Sequence, residues 1–171
     1  MKLGARLACA SALAFFCAGC IQRAPRPNPE PYLKTLSTSQ NADALSRAAI
    51  ALGNMREARA ALLLVPHLRH KSARVRSQTA MALGQIADPA TAEPLRKALV
   101  LEQSTVARRW MVWACGQTGG TLEKETLQGL KITEKSKAVY RGENSVDKQV
   151  LKELDTAIAT IDARLSGKEK R

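Results

Sequence analysis

The sequence predicts an all-α protein, a short right-handed α-solenoid of about three helix pairs plus a C-terminal capping helix. Two observations lead to this fold class. A glycine ends an apolar helical pattern at Gly53, Gly84 and Gly116, so that the spacings are 31 and 32 residues, and such a period is typical of stacked helical repeats. From about Ala42 onward the apolar residues follow helical spacing rather than the alternation of a strand.

The first helix of each repeat carries small or apolar residues at fixed distances before its glycine. When the glycine is counted as zero, positions −9, −4 and −1 agree in all three copies and mark one face of a helix. The glycine itself either ends the helix in the left-handed conformation or allows a neighbouring helix to approach closely. The residues at these positions are Ala44, Ala49, Leu52, Val75, Ala80, Leu83, Ala107, Val112 and Cys115.

A second helix follows each glycine, which completes a repeat region at residues 42–131. Asp88 and Pro89 are suited to begin this helix in repeat two, as a capping acid and a first-turn proline. Pro66 lies late in the second helix of repeat one, where it should kink or end it. The apolar residues that indicate the second helices are Ala61, Leu64, Leu68, Ala92, Leu95, Leu99, Leu122, Leu127 and Leu130.

The chain after the repeats is predicted to close the stack. Residues 132–144 are basic and are expected to form a loop, and residues 167–171 form a charged tail. Between them, residues 145–166 carry one apolar stripe at helical spacing, from Val146 to Leu165. A solenoid needs an atypical terminal element with a polar outer face, so we expect this amphipathic helix to be the cap.

The N-terminus has the pattern of an export signal. Lys2 and Arg6 precede a 12-residue apolar core, Leu7–Ala18, which is shorter than the ~20 apolar residues of a membrane span but suits a signal peptide. Cys17-Ala18-Gly19-Cys20 then resembles the lipobox of bacterial lipoproteins, although Cys17 stands where leucine is usual. The alternative is an ordinary cleaved signal peptide.

The lipobox resemblance implies a location. Residues 1–19 would be removed, and Cys20 would carry the lipid that anchors the protein in a membrane. Residue 21 is isoleucine rather than the aspartate that marks inner-membrane retention, so the resemblance implies the periplasmic face of the outer membrane.

Residues 20–41 are predicted to be a tether. Arg23–Pro31 has proline at alternate positions, which favours an extended, semi-rigid spacer. A docking motif for a proline-recognising partner is the alternative. Residues 32–41 are polar and rich in serine and threonine, with a short helix expected at their start.

Repeat two carries V-R-x-x-x-A-x-A-L-G-x-I-x-D from Val75 to Asp88. This motif resembles the HEAT repeat, in its short, phycobilisome-lyase-like subtype. Repeat one lacks the Val-Arg start, and repeat three replaces small residues by Trp110 and Trp113. The resemblance implies an α-solenoid and leaves function open, because the family ranges from scaffolds to enzyme subunits. Bilin lyase activity is disfavoured, because the chain is too short to form a chromophore cleft.

No constellation of an active site is present in the sequence, so we predict no catalytic residues, no metal site and no cofactor. His67 and His70 have no neighbouring Cys, Asp or Glu set to complete a metal site, and they are expected to be solvated polar residues. Cys115 occupies the position of Leu52 and Leu83 and is expected to be a buried small hydrophobe.

Charge supplies the candidate binding residues. The formal net charge is +12, and loss of Lys2 and Arg6 with the signal leaves +10. Basic residues recur near the repeat boundaries, where stacking could align them into one basic edge; alternatively, they are solvated or bond to neighbouring carbonyls. An exported lipoprotein meets anionic lipid or polymer rather than nucleic acid. The basic candidates are Arg76, Arg96, Lys97, Arg108 and Arg109.

The two tryptophans lie three residues apart on one helix. We expect Trp113 to fill the core and Trp110, which follows Arg109, to be a surface binding residue, because interfaces are rich in Trp and Arg. The sequence thus favours a lipid-anchored scaffold that binds an unidentified envelope protein. A binder of anionic lipid or polymer is the alternative, and an enzyme or enzyme-assembly factor is a weaker third.

Overall fold

The computed structural model describes residues 27–141 and 148–169. All regular secondary structure in these ranges is helical, which confirms the all-α prediction. The first four α-helices are α1 (Glu30–Thr38), α2 (Ala42–Met55), α3 (Ala60–Leu64) and α4 (Ala73–Ile86). The next four are α5 (Ala92–Leu101), α6 (Thr105–Thr118), α7 (Thr121–Arg141) and α8 (Lys148–Glu169). None of these helices has the length and apolar character that crossing a bilayer requires.

The helices stack in two layers. Helices α2, α4, α6 and α8 form the first layer, because the most extensive contacts join α2 to α4, α4 to α6 and α6 to α8. The second layer consists of α1, α3, α5 and α7, of which α1 packs on α2, α5 on α6 and α7 on α8. A continuous apolar core lies between the layers and runs from Leu33 in α1 to Ile161 in α8. This arrangement is that of a short α-solenoid.

The repeated glycines serve close packing between first-layer helices. A Cβ atom on Gly53 would lie 2.8 Å from the Cα atom of Ala82, and one on Gly116 would lie 3.0 Å from the Cα atom of Ala157. Each glycine lies inside its helix, two residues or more before the end. Of the two roles that the sequence allowed, close approach is therefore the one observed.

Helix ends follow ordinary capping chemistry. The left-handed positions fall three residues after the glycines, at Arg56 with φ 51° and Ala87 with φ 57°, where they end α2 and α4. Asp88 caps the second helical segment of repeat two, since its side chain accepts a hydrogen bond from the Ala90 amide at 2.9 Å. As predicted, α3 ends just before Pro66, and a 3-10 segment, Val65–Arg69, completes that helix.

Two segments differ from their predicted structure. The short helix expected at the start of residues 32–41 is present as α1, but its Leu33 and Leu36 are buried in the core, so the solenoid begins inside the region expected to be tether. The loop expected over residues 132–144 is wrong up to Arg141, because α7 continues to that residue. Lys131 forms an ion pair with Asp155 of α8, and no glycine or proline interrupts residues 130–141, so the helix has no reason to end earlier.

The predicted capping helix, residues 145–166, corresponds to α8, which packs on α6 as a further first helix would. Ala157 lies against Gly116 just as Ala82 lies against Gly53. Several predictions fall on residues outside the described ranges. These are the signal peptide, Cys20, residues 21–26 of the tether, residues 142–147 and the last two residues of the tail.

Candidate functional site

Arg76, one of the predicted binding residues, is held by an internal network. Its Nε and Nη2 atoms donate to the two carboxylate oxygens of Glu102 at 2.7 and 2.8 Å, and its Nη1 donates to the carbonyls of His70 and Lys71. The Glu102 side chain is only 2% exposed. Hydrogen bonds from Arg76 lower the pKa of Glu102 below its usual value, although burial acts in the opposite direction. The network ties together the two loops that precede α4 and α6.

Arg108 repeats this arrangement one repeat later. Its Nε and Nη2 atoms donate to the carbonyl of Glu102 at 3.2 and 2.6 Å. Its Nη1 donates to Glu134 at 3.1 Å, and the two members of this pair are 26 residues apart, like those of the Arg76–Glu102 pair. Both arginines lie eight residues before their glycine, so this position connects successive repeats. The bonding to neighbouring carbonyls that the sequence allowed is what the structure shows.

The other three predicted basic residues also face carboxylates. Arg96 lies 3.8 Å from Glu123, and Arg109 lies 3.6 Å from Glu153 of α8. Lys97 pairs with Glu93 one helical turn away, at 2.7 Å, and both side chains are largely exposed. The predicted basic residues therefore do not form a shared row of unpaired charges.

Unpaired arginines occur elsewhere. Within the described ranges, the side chains of Arg47, Arg56 and Arg69 have neither an ion pair nor a hydrogen bond, and all three residues are exposed. Arg47 belongs to α2, Arg56 ends it, and Arg69 ends the 3-10 segment of the second layer. These three unpaired arginines of the described ranges thus all lie in repeat one.

The tryptophans form a paired cluster on the first layer. The ring centroids of Trp110 and Trp113 are 5.8 Å apart and the rings are nearly perpendicular, at 89°, a favoured edge-to-face geometry. Both residues are partly buried against the core, so Trp113 is more exposed than expected. A Cβ on Gly84 would lie 2.3 Å from the Trp113 ring, so this glycine makes room for the indole.

A groove of about 610 Å³ opens beside this cluster, between α4 and α6. Trp110 and Trp113 line one side, and Met81 and Gln85 line the α4 side. Arg56 lines the end of the groove nearest α2 and is the single charged residue among those described around it. The structure thus brings Trp110 together with residues that were not predicted as binding residues.

The aligned repeats nevertheless contain a pattern from which the groove could have been predicted. The position three residues before each glycine holds Ile50, Met81 and Trp113. All three are partly exposed on the first layer, although large apolar side chains normally face the core. Arg56 gave no such signal, because its position in the groove depends on how α2 ends.

The remaining candidate groups have structural roles. The Nε2 atom of His67 lies 3.1 Å from the Leu36 carbonyl, and burial, the largest influence, lowers the pKa of His67. His70 accepts a hydrogen bond from the Ser72 amide. Cys115 is buried, which raises the pKa of its thiol to about 12. No group of His, Cys, Asp and Glu suited to a metal ion occurs in the described part of the chain.

Fold and surface together define a helical-repeat protein with an open first-layer face. The family model for HEAT repeats matches residues 29–138, and the chain belongs to the HEAT repeat family. This match includes α1 and most of α7, so it is longer at both ends than the predicted repeat region, residues 42–131. No curated protein matches the sequence.

Proposed function

We propose that this protein is a lipid-anchored envelope protein whose HEAT solenoid is a protein–protein interaction scaffold. The observation that carries the proposal is the stack itself. Helices α2, α4 and α6 pack against one another and against second-layer helices, while Ile50, Met81 and Trp113 on them remain partly exposed. Solenoids commonly bind partners along such extended faces. The proposal assigns no catalytic activity, metal or cofactor to the chain.

The location in this proposal depends on the N-terminal sequence. The apolar core of the signal is followed by Ala18-Gly19-Cys20, and Ile21 favours the periplasmic face of the outer membrane. Residues 21–29 would then separate the lipid from α1, which begins at Glu30. The scaffold would lie close enough to the membrane to hold a partner there.

A cysteine substitution tests the anchor. Cys20→Ser should abolish incorporation of an alkyne-labelled fatty acid and should release the protein from the membrane fraction. Cys9→Ser, inside the apolar core of the signal, is the matched control and should leave labelling unchanged. Tight membrane attachment of the Cys20→Ser variant would contradict lipid anchoring.

The second candidate function is binding of anionic lipid or polymer through a basic face. The net charge of +12 favours it, but the predicted basic residues each have a carboxylate within 4 Å. Salt distinguishes the two candidates, because the Debye length falls from ~10 Å at 0.1 M to ~3 Å at 1 M. Binding to anionic vesicles that is lost at 1 M salt would support the second candidate. That result, or captured complexes that contain only lipid and polysaccharide, would count against the scaffold.

A further inference from the structure

The groove between α4 and α6 combines apolar surface with one unpaired charge. Its walls carry Trp110, Trp113 and Met81, and Trp, Met and Arg are enriched at protein interfaces, where Trp and Arg often dominate the binding energy. Gln117, at the α6 side, has no side-chain hydrogen bond within the described ranges. The groove is therefore an apolar binding surface with polar groups at its edge.

We propose that this groove binds an acidic segment of a partner protein. An aliphatic or aromatic side chain of the segment lies between Met81 and Trp113, and a neighbouring carboxylate pairs with Arg56. The inference deepens the proposed scaffold function and rests on it, because it states where the partner binds and what chemistry the partner presents.

Charge complementarity selects an acidic occupant. Arg56 has no carboxylate partner within the described ranges, and no acidic residue lines the groove. Arg47, which is also unpaired, lies in α2, the helix whose C-terminal cap is Arg56. A carboxylate beside Arg56 gains a charge-assisted hydrogen bond, whereas a lysine or arginine there would meet uncompensated repulsion.

The chain's own N-terminal segment is a poor occupant. Residues 20–26 contain Arg23 and Arg26 and no acidic residue, so they would place positive charge next to Arg56. A separate protein with an acidic segment is therefore the better match.

The tryptophans provide a direct readout, because the full chain contains only two and both line the groove. The full chain, purified in neutral detergent, is titrated with a twelve-residue peptide in which aspartates flank a central Leu-Phe pair. Two further peptides replace the aspartates by lysine or the Leu-Phe pair by serine. Vesicles of phosphatidylglycerol and phosphatidylcholine are titrated in parallel.

We expect the acidic apolar peptide to change tryptophan emission saturably and each altered peptide to bind at least tenfold more weakly. Arg56→Glu should weaken binding of the acidic peptide at least tenfold, and Met81→Ala should weaken it severalfold. Arg69→Glu is the matched control: it reverses the charge of an exposed, unpaired arginine of the second layer and should change affinity less than twofold. Circular dichroism confirms that each variant is folded.

Three results would overturn the groove proposal: no binding of the acidic apolar peptide, equal binding of the lysine peptide, or equal effects of the Arg56 and Arg69 substitutions. A response to vesicles alone would assign the surface to lipid. Crosslinking in cells keeps the two proposals distinct. If wild type and Arg56→Glu capture the same proteins, the scaffold stands and the groove proposal fails; if neither captures a protein, the scaffold itself fails.

Discussion

At the scale of single residues, the glycines show how closely the first-layer helices approach one another. Gly84 also makes room for a large side chain, because a Cβ atom there would lie 2.3 Å from the Trp113 ring and 3.1 Å from the Cα atom of Ala114. The packing of repeat two on repeat three and the position of an indole in the groove therefore depend on one missing methyl group.

Gly84→Ala should lower the free energy of unfolding by about 1–3 kcal/mol, because the core must shift to admit the methyl group. It should also change the tryptophan emission of the folded protein. Gly129→Ala is the matched control: it is also a helical glycine, but nothing lies within 4 Å of its added Cβ, so alanine's higher helix propensity should stabilise the protein by about 0.5–1 kcal/mol. Urea unfolding, followed by circular dichroism, measures the free energy of unfolding of both variants. Equal changes in the two variants would contradict the packing role of Gly84.

Glu102 is the second residue on which the packing depends. Glu102→Gln should lower the free energy of unfolding at pH 7 by about 2–3 kcal/mol, because it removes the charge that Arg76 faces in a largely buried setting. Glu93→Gln, in the exposed pair with Lys97, is the control and should have little effect. Chemical denaturation measures the free energy of unfolding of both variants. Equal decreases in the two variants would argue against a buried network.

The Arg76–Glu102 ion pair also predicts that the free energy of unfolding depends on pH. The pKa of Glu102 is lowered in the folded protein, so the unfolded chain binds the proton more readily and the stabilisation is complete above the ordinary glutamate pKa of ~4.3. It is lost as the pH falls through the lower, folded-state pKa. The difference in stability between wild type and Glu102→Gln should therefore shrink below about pH 4. A difference that stays constant down to pH 2 would contradict this assignment.

At the scale of elements, the sequence predicted the helices best where the repeat pattern is strong. The presence of α2, α4 and α6, the interruption before Pro66 and the cap at Asp88 all agree with local pattern. These features depend on residues that are close in sequence, which is why they can be predicted without knowing the packing.

The predictions that were wrong concern features that depend on contacts between residues distant in sequence. The length of α7 depends partly on contacts with α8, including the Lys131–Asp155 ion pair, and α1 is held by burial of Leu33 and Leu36. The roles of Arg76 and Arg108 depend on carboxylates 26 residues further along the chain. Such long-range partners are not visible in composition or in a single helical period, so five basic residues resembled a binding edge.

Helix α8 is the element on which closure of the stack depends. Deletion of residues 148–171 would uncover the faces of α6 and α7 against which Leu154 and Ile161 are buried. We expect loss of the cooperative thermal transition and association of the truncated protein, observed by circular dichroism and light scattering. Deletion of residues 168–171 alone is the control and should leave the transition nearly unchanged. A monomeric, cooperatively folded chain without α8 would show that the stack needs no cap.

At the scale of the whole molecule, the two layers differ in what they expose. The second layer closes the core and displays exposed apolar side chains such as Leu62, Leu101 and Ile132. The first layer displays the groove with its paired tryptophans. Membership of the HEAT repeat family accounts for the stack, whereas the departures of repeat three, above all Trp110 and Trp113, distinguish this surface from a plain repeat.

The proposed scaffold function requires that a protein partner bind the first-layer face. The most direct measurement places a photo-crosslinking amino acid at Gln117, beside the groove, or at Arg69, on the second layer, and illuminates cells that express each tagged full chain. We expect a discrete protein adduct from position 117 and none from position 69. Protein adducts from position 69 only, or adducts with lipid or polysaccharide alone, would contradict it.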